Sequence, residues 1–339
     1  MGNWGDPCRA RLWPAGIPSL PNTYNDVMMK DLTLWARSLT TFVKWLEAEN
    51  RAAAENWSRR LNSSQSDQVE SAVAEAVIWD YISIRCDSVQ LAEVPGVGGI
   101  DFEFGVAGEQ FLVEVTNISN EAATNASGMP EEGLFAGNYS LMTKKLREKV
   151  RNKLDQARNQ SDHPFLVAVT TLHSNASHAC VDRLAVEFAM GSPPKITSKW
   201  NPESGESEGD LYQSTDLSQS VFLSPRPVLG PDGEPIAHAK YQPISGFLLG
   251  GFGLNPNDVR VFGALNPEAI RPFDPKLLAD IPFCSFKEWP VTTSIDFTWT
   301  ITEAEERAKS QQATEGRLRA AGLGELADEI KREARASKK

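Results

Sequence analysis

Two carboxylates stand where the sequence makes a carboxylate hardest to explain. In the run Phe111-Leu112-Val113-Glu114-Val115-Thr116, side chains of a strand alternate, so Glu114 shares a face with Leu112 and Thr116 while the two valines point the other way. An ionised carboxylate at the edge of such an apolar layer is costly unless a cation compensates it. Thirteen residues earlier, Asp101 follows Pro95-Gly96-Val97-Gly98-Gly99 and opens another strand-like run. A tight turn around Gly108 would fold the two runs antiparallel and bring Asp101 near Glu114. Paired carboxylates at a strand end are hard oxygen donors suited to Mg²⁺ (or Mn²⁺), with positions left for water and a phosphate. Such a metal would polarise a scissile phosphate, neutralise developing charge and lower the pKa of an attacking water.

A phosphate also needs cations. From Tyr139 to Gln160 there are seven basic residues against two acidic ones, Glu148 and Asp155, so this segment is locally positive although the chain carries a net charge of -11. The overall charge argues against a protein that coats nucleic acid nonspecifically. Lys145, Lys149 and Lys153 recur every four residues beside the apolar Leu146, Val150 and Leu154, forming one ridge of a helix. The ridge reads either as a solvated face or as a set of phosphate contacts.

The elements that must position these groups follow from periodicity. Residues 24–60 carry helical spacing and predict one long helix or a pair; their aromatic residues Trp35, Phe42 and Trp45 suit internal packing or a homo-oligomer contact. Ser64-x-x-Asp67 resembles a capping box ahead of Val69, Val73, Val77, Tyr81 and Ile84, predicting a helix over 67–85. Strand-like runs follow at Val89–Val94, Ile100–Val106 and Gln110–Thr116, with Gly105–Glu109 as the turn between the last two. A polar loop over 119–138 leads to the basic helix, and Pro164–Thr170 reads as a buried strand. Ile244–Leu249 and Val259–Leu265 predict two more strands, Leu277–Ile281 a short helix, and Gly250-Gly251-Phe252-Gly253 only a turn.

Helix, three strands, helix, strand predicts an α/β fold: a mixed central sheet flanked by helices. The organisation expected is an N-terminal helical extension (1–62), a core (63–190), an acidic Pro/Ser/Gly-rich insertion or mobile loop (191–240), a sheet extension of the core (241–300) and a C-terminal helical tail (301–339).

Gly99-Ile100-Asp101, a gap, then Glu114-Val115-Thr116 resembles the signature of the PD-(D/E)XK nucleases, the restriction-endonuclease-like fold. The resemblance covers about 105 of the 339 residues and implies a Mg²⁺-dependent nuclease acting on nucleic acid, DNA above all, in defence against foreign DNA. It implies Asp101 and Glu114 as metal ligands and catalytic residues, with a third carboxylate on the first core helix, where Glu70 fits and Glu75 is the alternative. The chain departs from the pattern at Thr116, which occupies the lysine position; a hydroxyl cannot supply the fixed positive charge that stabilises the transition state. Some members keep a Lys or Gln on the following helix, and Lys153-x-x-Gln156 is the equivalent here, with Lys149 a second catalytic candidate. Lys145, Lys149, Lys153 and Gln156 are then the expected nucleic-acid contacts. Asn266-Pro267-Glu268-Ala269 adds a weaker likeness to bacterial nuclease-like proteins with an E-x-T strand and a later Asn-Pro-x-Ala turn. The alternative is a catalytically degenerate nuclease-fold subunit acting in nucleic-acid binding or complex assembly.

Other classes find little support. No Walker, Rossmann or nucleophile-elbow motif is present, and His163, His173, His178 and Cys180 match no familiar zinc spacing. No apolar run is long enough to span a membrane. Four cysteines, Cys8, Cys86, Cys180 and Cys284, lie far apart and read as reduced thiols. With no signal-like segment at the amino terminus, the expected location is cytoplasmic.

Overall fold

The structure is a computed structural model; it describes residues 35–325 apart from 93–99, 131–138, 159–161, 192–194, 201–206, 215–219, 225–227, 232, 234, 253–258, 291–294 and 321, and also Asp328. The expected glycine-rich lead-in to Asp101 and the first part of the helical extension lie outside the described residues.

The helical extension is a pair, α1 (Ala36–Glu49) and α2 (Arg51–Leu61). Asn50 separates them: its backbone is extended and its side chain accepts the N–H of Ala53 at 3.2 Å, capping α2. Next comes α3 (Ser66–Ser83), one residue later than a Ser64 cap requires. Ser64 makes no cap; Gln65 holds that position without a side-chain bond, and Asp67 Oδ1 instead accepts the N–H of Gln68 at 2.9 Å. The strands β1 (Ser88–Leu91), β2 (Phe102–Val106) and β3 (Glu109–Ile118) follow. The β2–β3 hairpin turns on Ala107 and Gly108, with φ of 52° and 86°, the left-handed pair that a two-residue hairpin matching strand twist requires.

The stretch expected as a loop after β3 contains a helix, α4 (Asn120–Ser127), capped by Ser119 through the Ala122 N–H. The basic segment is two helices, α5 (Tyr139–Asn152) and α6 (Leu154–Arg158), and then comes β4 (Phe165–Thr171). Two short helices, α7 (Ser174–Ala179) and α8 (Arg183–Met190), precede the acidic insertion. That insertion is not simply a loop: β5 (Lys195–Trp200) pairs antiparallel with β6 (Ser207–Ser214), and β7 (Val228–Leu229) with β8 (Pro235–Ile236).

The sheet then resumes with β9 (Gly246–Gly251), β10 (Arg260–Leu265), β11 (Phe283–Phe286) and β12 (Phe297–Trp299). A 3₁₀ turn at Pro275–Leu278 replaces the short helix expected there, and α9 (Glu303–Ala320) is the tail. Gly250 and Gly251, expected in a turn, end strand β9. A side chain at Gly251 would meet the Ser177 carbonyl at 2.6 Å, so glycine allows α7 to close over the sheet.

The architecture is an α/β protein around an eight-stranded mixed sheet, ordered β1-β2-β3-β4-β9-β10-β11-β12. Strands β3, β4 and β9 run parallel at its centre, and β4 and β9 are buried at every position, as strands covered on both faces must be. One face packs against α1, α2 and α3 through Val113, Val115, Leu166 and Leu248. The other packs against α4, α5, α7 and α8 through Leu112, Ile118, Val167 and Phe247.

The aromatic residues of α1 serve internal packing. Phe42, 1% exposed, lies 5.2 to 5.9 Å from the ring centroids of Trp57, Trp79 and Phe102. Trp57 is buried too, and its indole N–H donates to the Ala72 carbonyl at 2.9 Å, tying α2 to α3. Trp57→Ala is expected to cost about 3 to 5 kcal/mol and to lower the midpoint of a urea or thermal unfolding curve accordingly. A loss within about 0.5 kcal/mol would show that the helical pair is not part of the cooperative fold.

Candidate metal and phosphate site

Strand register brings the two carboxylates together. Phe102 lies opposite Val113 in the β2–β3 ladder, and one further step of that register sets Asp101, just before β2, opposite Glu114. Asp101 does not extend the ladder: its Oδ2 accepts the Val115 N–H at 2.6 Å. Glu114 is 4% exposed and points to the face covered by α5 and α6.

The cation missing at Thr116 arrives from those helices. Lys153, at the joint between α5 and α6, places Nζ 2.5 Å from Glu114 Oε1, and the Gln156 amide donates to the same oxygen at 3.2 Å. The Lys-x-x-Gln spacing works because the chain turns helically through the joint, with the Lys153 N–H bonded to the Val150 carbonyl at 3.2 Å. Lys149, one turn back, is half-buried, and its pKa is lowered by burial and by the charges of Lys153 and Lys145. Lys145 pairs with Glu148 at 3.0 Å and stands furthest along the ridge from Glu114.

Glu70, expected as a third metal ligand and catalytic carboxylate, is elsewhere. It is buried, and its Oε2 accepts from the Asn117 amide at 3.2 Å and from the Asn120 N–H at 2.7 Å. Asn117 alternates with Glu114 along β3 and so lies on the α3 face, where its Oδ1 also accepts from the Thr170 hydroxyl at 3.1 Å. Glu70 thus sits at the N-terminus of α4, where exposed backbone N–H groups favour a carboxylate. That partner lies at the start of α4, in a stretch whose polarity predicts a loop. The helix carboxylate that acts on Asp101 is Glu75, itself held by Arg60 through two bonds of 2.5 Å.

Electrostatics mark Asp101 and Glu114 as a strained pair. Burial, then the negative charges of Glu114 and Glu75, hold the Asp101 pKa well above the ordinary carboxylate range, against the pull of the Val115 N–H and Lys153. Burial also raises Glu114, although Lys153, Gln156 and the Asp101 N–H oppose it. Glu114 Oε2 is buried and has no hydrogen-bond partner among the described residues. An orphaned carboxylate oxygen beside a second carboxylate is what a hard divalent cation would satisfy, and one or two carboxylates suffice where water and substrate phosphate complete the shell. The residues therefore fit Mg²⁺ or Mn²⁺ with two protein ligands. No group of three His, Cys, Asp or Glu able to hold a metal occurs among the described residues. His173 accepts the Ala176 N–H and faces the Thr124 hydroxyl.

The raised pKa values set a sign for stability. Without metal, the folded state binds more protons than the unfolded state between the ordinary carboxylate pKa and the raised ones, so stability falls as pH increases through that window. Asp101→Asn is expected to flatten the dependence and raise the metal-free unfolding temperature by about 2 °C or more at the upper end. Calorimetry in EDTA between about pH 5 and about pH 8 checks this; a steeper fall in the variant would mean Asp101 is not repelled.

A cleft of about 310 Å³ opens beside Asp101 on the α2–α3 side, lined by Trp57, Arg59, Arg60, Glu75 and Phe102 among others. Asn266, in the Asn-Pro-x-Ala turn, has a structural role: its amide reaches the carbonyls of Lys240, Tyr241 and Ile244 at 3.2, 3.1 and 2.9 Å. No described helix is long and apolar enough to cross a membrane. No protein-family model, curated protein or solved structure matches this chain.

Proposed function

We propose that the protein is a metal-dependent nuclease that hydrolyses phosphodiester bonds of nucleic acid, DNA foremost, at the Asp101–Glu114 pair. The observation that carries the reading is the 2.5 Å contact between Lys153 and Glu114. It supplies, from a different element, the positive charge absent from Thr116, and it does so beside a carboxylate oxygen that lacks a donor.

In this reading Asp101 and Glu114 would hold the divalent cation, which when bound would polarise the scissile phosphate and acidify a water. Lys153 has two tasks. Before substrate binds, its ammonium opposes the burial that raises the Glu114 pKa; with substrate bound, it would face the oxygen on which negative charge develops. Gln156 fixes the orientation of Glu114 Oε1, and Val115 N–H that of Asp101. Lys149 adds positive field on the same ridge for the flanking backbone phosphates.

The direct test is incubation of the purified full-length chain with duplex and single-stranded DNA and with RNA, in Mg²⁺, Mn²⁺ or EDTA. Cleavage in either metal that EDTA abolishes supports the reading, and the absence of cleavage with every substrate opposes it. One observation favours a second reading, a degenerate subunit: Glu70 is committed elsewhere and Glu75 is tied to Arg60, leaving two carboxylates. Calorimetry with Mn²⁺ separates the two, since a degenerate site gives no saturable heat.

A further inference from the structure

The proposed metal chemistry leaves the cleft beside Asp101 unused, and three kinds of group line it. Its floor is aromatic. Phe42 and Trp57 stand 5.2 Å apart at 74°, and Phe102 lies 5.9 Å from Phe42 at 83°, so three rings meet edge to face. Trp57 is held in place, because its indole N–H is bonded to the Ala72 carbonyl at 2.9 Å. One wall is an ion pair. Arg60 grips Glu75 through two bonds of 2.5 Å, and the two side chains keep 30% and 14% of their exposure. The rim carries exposed Asn56 and Arg59, three residues apart on α2.

This combination selects a ligand class. A purely apolar occupant would bury the ion pair and the amide without partners, which is costly. A bare phosphate would meet the charges of Glu75 and Asp101, and a cation those of Arg59 and Arg60. A flat ring with donors and acceptors on its edge suits all of them: its body lies on aromatic surface while its edge bonds an amide, a guanidinium and a carboxylate. The cleft measures about 310 Å³, at the lower end of the roughly 300 to 1,000 Å³ of small-molecule sites. One base fits that space, and a dinucleotide does not.

We infer that the cleft is a pocket for a single unpaired nucleobase. A base in a duplex has its edge already occupied by its complement, so the occupant is single-stranded or extruded. Asp101 belongs both to the cleft and to the carboxylate pair, so a base seated here sets its own backbone at the Asp101 end of that pair. The base comes either from a strand or from a free mononucleotide. A strand as its source rests on the nuclease reading; occupancy of the cleft does not.

The test is binding without cleavage: fluorescence anisotropy of a labelled single-stranded DNA, and of its counterpart built from abasic analogues, with the full chain in EDTA. Both carry the same phosphates, so backbone contacts cancel in the ratio of affinities. The intact strand is expected to bind about ten-fold or more tightly, the usual worth of one base on aromatic surface. Ala53, half-buried on the cleft wall, gives a variant that fills the space without removing a polar group, and Ala53→Phe should abolish the ratio. Asn56→Ala, at an exposed position, should reduce it about three-fold, the loss of one hydrogen bond, and Glu114→Gln should leave it unchanged. Saturable heat with deoxynucleoside monophosphates that disappears in Ala53→Phe, without any intact-to-abasic difference, assigns the pocket to a free nucleotide. Equal affinity for the two strands with no mononucleotide heat overturns the inference, as does a ratio that survives both Ala53→Phe and Asn56→Ala in folded protein. Cleavage without the ratio sinks this inference alone, and the ratio without cleavage sinks the nuclease reading alone.

Discussion

Glu114→Gln and Asp101→Asn are each expected to lower cleavage about 10³-fold or more, while both variants fold with near-normal unfolding midpoints. Each keeps shape and volume but removes the charge that would hold a divalent cation, whose electrostatic role is worth several kcal/mol in the transition state. Calorimetry with Mn²⁺ should lose its saturable heat in the same variants. The double variant decides the matter: if both carboxylates act through one metal, removing the second costs little beyond removing the first, because effects of groups acting as a unit are not additive. Separate roles would multiply the two losses. The stability side is asymmetric. Asp101→Asn removes a carboxyl crowded by Glu114 and Glu75 and should stabilise the metal-free protein. Glu114→Gln leaves Lys153, whose side chain is 23% exposed, free to take its charge to water. Full cleavage activity in either variant would end the assignment.

What could be read in the sequence is the part governed by local patterning. The apolar alternation on β2 and β3 with Gly108 at the turn makes the approach of Asp101 to Glu114 legible, because the register of a two-residue hairpin is fixed by the turn itself. The resemblance, not the spacing alone, singles out Lys153-x-x-Gln156; that both reach the same Glu114 oxygen is a tertiary fact. The misses share a different cause. Glu70 and Glu75 are both on α3, and which one turns towards Asp101 depends on where the sheet and α4 lie relative to that helix, a tertiary fact with no local signature. The polar segment Asn120–Ser127 has too little apolar periodicity to register as a helix; its stability comes from the Ser119 cap and from Glu70, 50 residues away. The short strands β11 and β12 were missed because runs of three or four residues carry almost no period.

Lys153 is the residue on which the proposed chemistry turns, since Thr116 cannot replace it. Lys153→Met is expected to reduce cleavage about 10² to 10³-fold, the usual effect of removing one preorganised electrostatic group, with Lys153→Arg recovering part of it. A second consequence identifies its other task. With the ammonium gone, only Gln156 and the Asp101 N–H oppose the burial that raises Glu114, so its pKa climbs further. The acid limb of the pH–rate profile must then move to higher pH, and divalent-metal affinity at neutral pH must fall because protons compete better. A lysine that only contacted a distant phosphate would lower the rate without moving that limb. Thr116 shares the Glu114 face of β3, so Thr116→Lys in the Lys153→Met background is expected to restore at least about ten-fold of the lost rate. A single motif charge supplied from either element would then suffice. If Lys153→Met instead binds metal more tightly than the natural chain, the ammonium is a plug on a degenerate site, since its removal would leave Glu114 Oε1 with Gln156 alone beside the orphaned Oε2.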